Sequence, residues 1–172
     1  MLQILAISGS LRAQSSNTSI LRATQKMMES EVEIALFETI GDLPHFNPDL
    51  DTETPPASVA EFRAQLENAD GILICTPEYA HGLPGSFKNA LDWTVSSGQW
   101  MEKPTLILKS SRSHFAHDSL VEILTTIMAK ISVCEVFLSG NKMDEAAMLR
   151  DEIIAVTLRA ALDDFAAQFH KK

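Results

Sequence analysis

Residues 2–19, LQILAISGSLRAQSSNTS, decide the fold. Leu2–Ile7 is an almost unbroken apolar run, the pattern of a strand buried on both faces. Behind it comes a stretch rich in serine, with Gly9, Arg12, Asn17 and Thr18, and convincing helical periodicity starts only at Ile20. Ordinary strand-to-helix loops take roughly 2–6 residues. A longer junction crowded with hydrogen-bond donors is the pattern of a loop that holds a ligand.

Working outward, four further runs read as strands: Glu33–Glu38, Gly71–Thr76, Pro104–Lys109 and Ser132–Leu138. Helical stripes lie between and after them. Ile20, Leu21, Met27 and Met28 suit one helix, and Val59, Phe62, Leu66 and Ala69 a second. Phe87, Ala90, Leu91 and Val95 mark a third, and Leu120, Ile123, Leu124, Ile127 and Met128 a fourth. Ile154, Leu158, Leu162, Phe165 and Phe169 make a long final helix. Regular alternation of strand and helix predicts one α/β domain over residues 1–172, a doubly wound five-stranded parallel sheet with helices on both faces. The expected strand order is 2-1-3-4-5, with a ligand crevice at the carboxyl ends of strands 1 and 3. Thr39–Ser58 carries four prolines and reads as an irregular connection, either solvated or a binding or interface loop.

Composition narrows the partners. The chain has 172 residues, 45% hydrophobic and 22% charged, as in ordinary globular proteins. A net charge of −9 argues against nucleic acid and against an anionic membrane surface. No apolar run is long enough to span a bilayer, and no signal-peptide pattern precedes the first strand. Cys75 and Cys134 lack metal-site spacing and read as two buried free thiols, so a cytoplasmic location is expected.

Two unusual loops flank the expected crevice. In the first, Gly9 allows a tight turn, and successive N–H groups leading into a helix N-terminus suit an anion. Ser10, Ser15 and Thr18 offer hydroxyls, Asn17 an amide and Arg12 a guanidinium, a donor set for phosphate. The loop matches neither GxxxxGK[ST] nor GxGxxG, which argues against a Walker site and against a dinucleotide fingerprint. The second loop, TPEYAHGLPGSFKNALDW (Thr76–Trp93), suits a flat heteroaromatic ring. Pro77, Gly82 and Pro84 bend the backbone toward a ring edge, and Ser86 is placed to cap the next helix. Glu78 is expected to order this loop, while Tyr79 and His81 can stack or offer a polar tip. The five histidines show no metal-ligand spacing, and no GxSxG elbow or triad is present.

GSLRAQSSN resembles the phosphate loop GSLRxxSxN of the NADPH-dependent FMN reductase family. PEYAHGLPGSFKNALDW resembles that family's flavin-ring loop, PEYxxxxPGxxKNAxDW, and the similarity runs over roughly residues 2–110. The resemblance implies a flavodoxin-like fold and FMN as cofactor, with NADPH or NADH as electron donor. A small molecule (a quinone, a flavin, an azo compound or chromate) would be the acceptor. It implies that Ser10, Arg12, Ser15, Asn17 and Thr18 bind the FMN phosphate, and that Pro77, Glu78, Tyr79, Ala80, His81 and Gly82 line the isoalloxazine. Ser110 joins the cofactor-binding set, being small enough to let the backbone approach the ring. The flavin carries the redox chemistry in such enzymes, so no separate catalytic acid or base is expected. Association as a homodimer or homotetramer is implied too.

One segment departs from the family. A glycine-rich stretch often follows strand 4, whereas this chain has SSRSHFAHDS (Ser110–Ser119). Arg112 there can reach an anionic part of the nicotinamide cofactor, or lie in a solvated loop where Asp118 or a serine caps the next helix. Trp93 points off the stripe of the third helix, toward either a subunit contact or a cover from its own chain. Two other functions compete with the reductase: a flavodoxin-type electron carrier, and an FMN-free interaction protein of the same fold.

Overall fold

The computed structural model describes residues 1–138 and 143–170. Five parallel strands, β1 (Leu2–Ser8), β2 (Val32–Phe37), β3 (Gly71–Cys75), β4 (Pro104–Lys109) and β5 (Lys130–Glu135), form one sheet in the order β2-β1-β3-β4-β5. The expected doubly wound order is what the chain adopts. Pairing runs Ile4↔Ile34 and Ile7↔Phe37 on one side of β1, and Ile7↔Ile74 on the other. Every residue of β3 is buried, which is why its sequence is an unbroken apolar run rather than an alternating one.

The helices divide between the faces as right-handed crossovers require. α2 (Ala57–Asn68), α3 (Gly85–Asp92) and α4 (Phe115–Thr126) cover Leu5, Ile7, Ile72, Ile74 and Ile107 with Val59, Phe62, Leu66, Phe87, Leu91, Leu120 and Leu124. α1 (Ser16–Met28), α5 (Glu145–Arg150) and α6 (Glu152–Ala167) cover Ile4, Ala6, Leu73, Leu106 and Leu108 with Ile20, Leu21, Met148, Ile154, Leu158, Leu162 and Phe165. Burying each large side chain contributes roughly 1.5–3 kcal/mol against the entropy of ordering the chain. Gly71, at the start of β3, leaves room for α6 and the 3₁₀ turn Gln168–His170 that follows it. A Cβ there would lie 2.7 Å from Phe169 and 2.9 Å from Phe165.

Several expectations need correction. The second strand is Val32–Phe37 rather than Glu33–Glu38, and the third stops at Cys75. The fifth begins at Lys130, two residues early, and leaves strand geometry before Leu138. It is a half-exposed edge: Val133 faces solvent, as does Phe137 just past its end, and Cys134 is only half-buried. α3 ends at Asp92, so Val95 falls outside its stripe and is 59% exposed. Met128 likewise lies past α4, exposed, in a left-handed turn with φ 63°. Ser86 does not cap α3, because Pro84 holds the cap position and Ser86 lies inside the first turn. α5 has no counterpart in the sequence reading; Asp144 caps it by accepting from the Ala147 N–H.

The proline-rich segment 39–58 is largely exposed to solvent, and it also has structure of its own. It contains two 3₁₀ turns, Ile40–Asp42 and Pro48–Leu50, and buries Ile40 and Leu43. Trp93 is fully buried beneath it, its Nε1 donating to the Pro44 carbonyl at 2.7 Å and its ring meeting Phe46 edge-on at 5.1 Å. The chain therefore covers Trp93 itself, and that residue makes no case for a subunit contact. Asn89 accepts from the Phe46 N–H at 2.7 Å and donates to Pro44 at 2.9 Å. Arg63 ties the segment to the end of α3 by pairing with Asp51 at 2.7 Å while its Nε donates to the Trp93 carbonyl.

Candidate flavin site

Three strand ends converge at the carboxyl edge of the sheet. The Gly9 N–H donates to the Cys75 carbonyl at 2.9 Å, joining the end of β1 to the end of β3. A Cβ on Gly9 would lie 2.1 Å from Thr76 Oγ1 and 2.6 Å from Thr76 Cβ. Gly9 is required here by this close approach; its φ is not left-handed, so the tight turn expected of it is not the reason. Asn17 Oδ1 accepts from the Ser110 hydroxyl at 2.9 Å and from the Cys75 thiol at 3.3 Å, drawing the end of β4 to the same point. Burial pushes the Cys75 thiol up to about 12, so it stays protonated and serves as a donor.

The phosphate-type loop is organised by its own hydroxyls. Ser8 and Thr18 share a hydrogen bond of 2.8 Å, and the Ser10 and Arg12 N–H groups donate to Ser8 and Ser10 hydroxyls, each at 3.3 Å. Ser15 holds the N-cap position of α1, is 4% exposed, and makes no side-chain capping bond. The free cap hydroxyl of Ser15 and, at the same strand-to-helix junction, Ser10, Thr18 and the exposed Arg12 guanidinium make a donor set suited to a phosphate dianion. A cavity of about 340 Å³ opens on the β2 side of this loop, lined by Ser10, Arg12, Thr18, Arg22, Glu38 and Asp42 among others. Arg22 engages Glu38 at 3.1 Å across it.

The predicted set is thus divided by the start of α1. Ser10, Arg12 and Thr18 face the β2 side, and Asn17 and Ser110 meet on the β3–β4 side. This cavity lies between the ends of β1 and β2, while the Gly9–Cys75 and Asn17–Cys75 bonds tie the ends of β1 and β3 to the start of α1. Arg22, Glu38 and Asp42 were not singled out from sequence; only the pairing of β1 with β2 brings them beside the loop.

The second loop ends in a two-residue hairpin. The Tyr79 N–H donates to the Gly82 carbonyl and the Gly82 N–H to the Tyr79 carbonyl, each at 3.0 Å. The left-handed positions fall on Ala80 and His81, with φ of 50° and 61°, and not on Gly82. Two non-glycine residues in this region store strain, held by the surrounding bonds. Glu78 does order the loop, across the chain: Oε1 accepts from the Ser113 hydroxyl at 2.6 Å and Oε2 from the Ala116 N–H at 3.0 Å. These two donors, the Ala116 N–H foremost, hold its carboxyl below the usual range, with His81 and His114 adding a smaller effect. Glu78 therefore caps α4, a role expected of Asp118 or a serine; Asp118 lies inside the first turn and His114 at the cap position makes no capping bond. His81 stacks on Phe115 at 4.2 Å and His114 on its neighbour Phe115 at 4.4 Å, a three-ring slab joining the two loops. Tyr79 is 49% exposed beside them, Pro77 is half-buried, and Arg112 is exposed. The clamp partners Ser113, Phe115 and Ala116 lie in the very segment that departs from the family pattern.

A parallel 2-1-3-4-5 sheet with a phosphate-type loop after β1 and a rigid aromatic loop after β3 defines a flavodoxin-like mononucleotide-binding protein. The family model for NADPH-dependent FMN reductase matches residues 2–144, and the chain belongs to that family. It is 30% identical to a quinone reductase of Pseudomonas putida, with 95% of this chain and 92% of that protein aligned. It is 40% identical to a 2-hydroxy-1,4-benzoquinone reductase of a Burkholderia species over 64% of this chain and 61% of that one. Among solved structures, the flavoenzyme NAD(P)H:(acceptor) oxidoreductase FerB from Paracoccus denitrificans superimposes with a TM-score of 0.79 at 29% identity, covering 99% and 98% of the two chains. The protein is an FMN-dependent NAD(P)H oxidoreductase. Among the described residues no helix is long and apolar enough to cross a membrane, and no cluster of side chains is suited to a metal ion.

Proposed function

We propose that FMN is held with its phosphate at the start of α1, by Ser10, Arg12, Ser15, Asn17 and Thr18, and its ring against residues 77–82 and Ser110. The observation that carries this reading is Ser15, an N-cap residue 4% exposed whose hydroxyl leaves its capping role unused, at the same strand-to-helix junction as the Arg12 guanidinium and the Ser10 and Thr18 hydroxyls. When bound, FMN supplies the redox chemistry, taking hydride from NAD(P)H and returning two electrons to the acceptor. The protein's part is positional. Arg12 and the loop hydroxyls neutralise phosphate charge, the strained Ala80–His81 hairpin presents backbone groups to a ring edge, and Glu78 locks that hairpin to α4.

The acceptor proposed is a quinone. The slab of His81, Phe115 and His114, with Tyr79 beside it, offers flat exposed surface for a planar ring, and curated relatives are named quinone reductases. Reducing the quinone takes the hydride equivalent and one proton from solvent, giving hydroquinone and the oxidised nicotinamide. NADPH as preferred donor rests on the family resemblance, with Arg112 as the candidate reader of its extra phosphate. Homodimeric or homotetrameric association rests on the same resemblance, with exposed Val133 on the edge strand and Phe137 just past its end as apolar surface for it. A cytoplasmic location rests on the unpaired thiols of Cys75 and Cys134.

Titrating flavin-free protein with FMN and with riboflavin tests the site. Arg12→Ala should weaken FMN by about 1.5–3 kcal/mol, the range for a hydrogen bond with a charged group, and leave riboflavin unchanged. Equal loss for both flavins removes Arg12 from the phosphate.

A further inference from the structure

The cavity of about 340 Å³ between the ends of β1 and β2 has the size of a small-ligand site, which spans roughly 300–1,000 Å³. Its charged lining is Arg12 and Arg22 against Glu38 and Asp42, and Ser10 and Thr18 add hydroxyls. Three of the five residues assigned to the FMN phosphate therefore line it, and Arg22 is not among the five. Arg22 stands one helical turn after Thr18 on α1, and residues four apart share a helix face. Its Nη2 lies 3.1 Å from Glu38 Oε1, in a pair whose side chains are 43% and 67% exposed. Glu38 directly follows Phe37, whose register with Ile7 sets it beside the phosphate-type loop.

We propose that Arg22 is the second cation of the phosphate site, leaving Glu38 to pair with the phosphate when FMN binds. That the ligand is FMN rests on the function proposed above; the need for a second cation rests on the cavity's own charges. A phosphate monoester carries about −1.5 to −2 charges at pH 7. Without Arg22, the lining meets that dianion with one guanidinium against two carboxylates, a balance that repels it. With Arg22 released from Glu38, two guanidiniums serve the phosphate, each able to donate two parallel N–H bonds. Magnitudes favour the exchange. An ion pair this exposed is screened by water and salt and contributes little. A guanidinium–phosphate hydrogen bond is about twice as strong as a neutral one. Glu38 is thus a competitor for Arg22, holding it at the cavity wall until a phosphate arrives.

The full-length chain, freed of flavin and titrated with FMN and with riboflavin at fixed ionic strength, tests the exchange. Two variants break the same ion pair and should act in opposite directions. Arg22→Gln should raise the FMN dissociation constant by about 5- to 50-fold, the worth of a charged hydrogen bond less that of the pair it replaces, and leave riboflavin within about two-fold. Glu38→Gln frees Arg22 and should lower the FMN constant by about 2- to 5-fold, again without moving riboflavin. That gain should shrink in the Arg22→Gln background; an equal gain in both backgrounds shows that Glu38 merely repels phosphate, and overturns the exchange. If Arg22 only braces α1 against the end of β2, both single variants should weaken the two flavins alike. That result, or an unchanged FMN constant in Arg22→Gln, also overturns the proposal. Wild-type protein that binds FMN no more tightly than riboflavin would instead sink the phosphate reading of the flavin site. Inorganic phosphate then decides the anion site: at matched ionic strength it should raise the Tm of wild type and not of Arg22→Gln. An equal response of the two proteins, or none, refutes it.

Discussion

Replacing Gly9 by alanine should damage both stability and flavin binding, because the new methyl group has nowhere to go. Its carbon would lie 2.1 Å from Thr76 Oγ1, 2.6 Å from Thr76 Cβ and 3.2 Å from Phe87 Cδ1. Thr76 is β-branched and follows β3 directly, so it cannot swing aside as a long flexible side chain would. Relief requires the ends of β1 and β3 to separate, and the Gly9–Cys75 bond of 2.9 Å opposes that. Overpacking a filled site costs about 1–3 kcal/mol. For a chain of this size, that is a fall in Tm of about 2–12 °C. Thermal and urea unfolding of Gly9→Ala measure the cost, and FMN titration measures displacement of the phosphate-type loop. Thr76→Gly supplies the control, since it removes both atoms nearest the new methyl. In that background Gly9→Ala should cost less than half as much, a coupling read directly from the double-mutant cycle. An unchanged penalty in the Thr76→Gly background, or a Gly9→Ala protein as stable as wild type, would refute the reasoning.

Three other outcomes are expected. Donor and acceptor should share one exposed ring face, so initial rates against NADPH at several quinone concentrations should give parallel reciprocal plots; intersecting lines would show a ternary complex. Asn89→Leu strips the acceptor from the Phe46 N–H and a donor from Pro44, and should cost about 1–3 kcal/mol in urea unfolding. Glu78 is held below the ordinary carboxylate value of 4.5 by the Ala116 N–H and the Ser113 hydroxyl, so its stabilisation is full above that value and is lost as pH falls through the lowered one. The stability gap between wild type and Glu78→Gln should therefore shrink as the solution is acidified below pH 4.5, and a gap independent of pH would show that the carboxylate charge is not involved.

The sheet was legible because burial imprints itself on sequence at short range. The cores of strands such as Leu2–Ser8 and Gly71–Cys75 are apolar runs since helices cover both faces, and alternation with 3–4 periodic stripes leaves few topologies. The ends of elements were less legible. Val95 and Met128 continue a helical period after the backbone has left the helix, and nothing in their side chains records that. Trp93 was ambiguous for a related reason: its cover, Pro44 and Phe46, lies 49 and 47 positions away, inside a segment whose prolines resemble a solvated loop.

The candidate site divides in the same way. Sequence alone determined which residue types gather at the ends of β1 and β3, a donor-rich loop and a proline-bounded aromatic one, because each motif is contiguous and its chemistry is local. Only the tertiary structure decided how they are used. It put Arg22, Glu38 and Asp42 beside the first loop through β1–β2 pairing, and it turned Glu78 into the cap of a helix that begins 37 residues later. It made Gly9 indispensable through Thr76. The physical reason is range: propensity and burial act along a few turns of chain, whereas hydrogen-bond partnership and close packing depend on which distant strand ends the sheet register brings together.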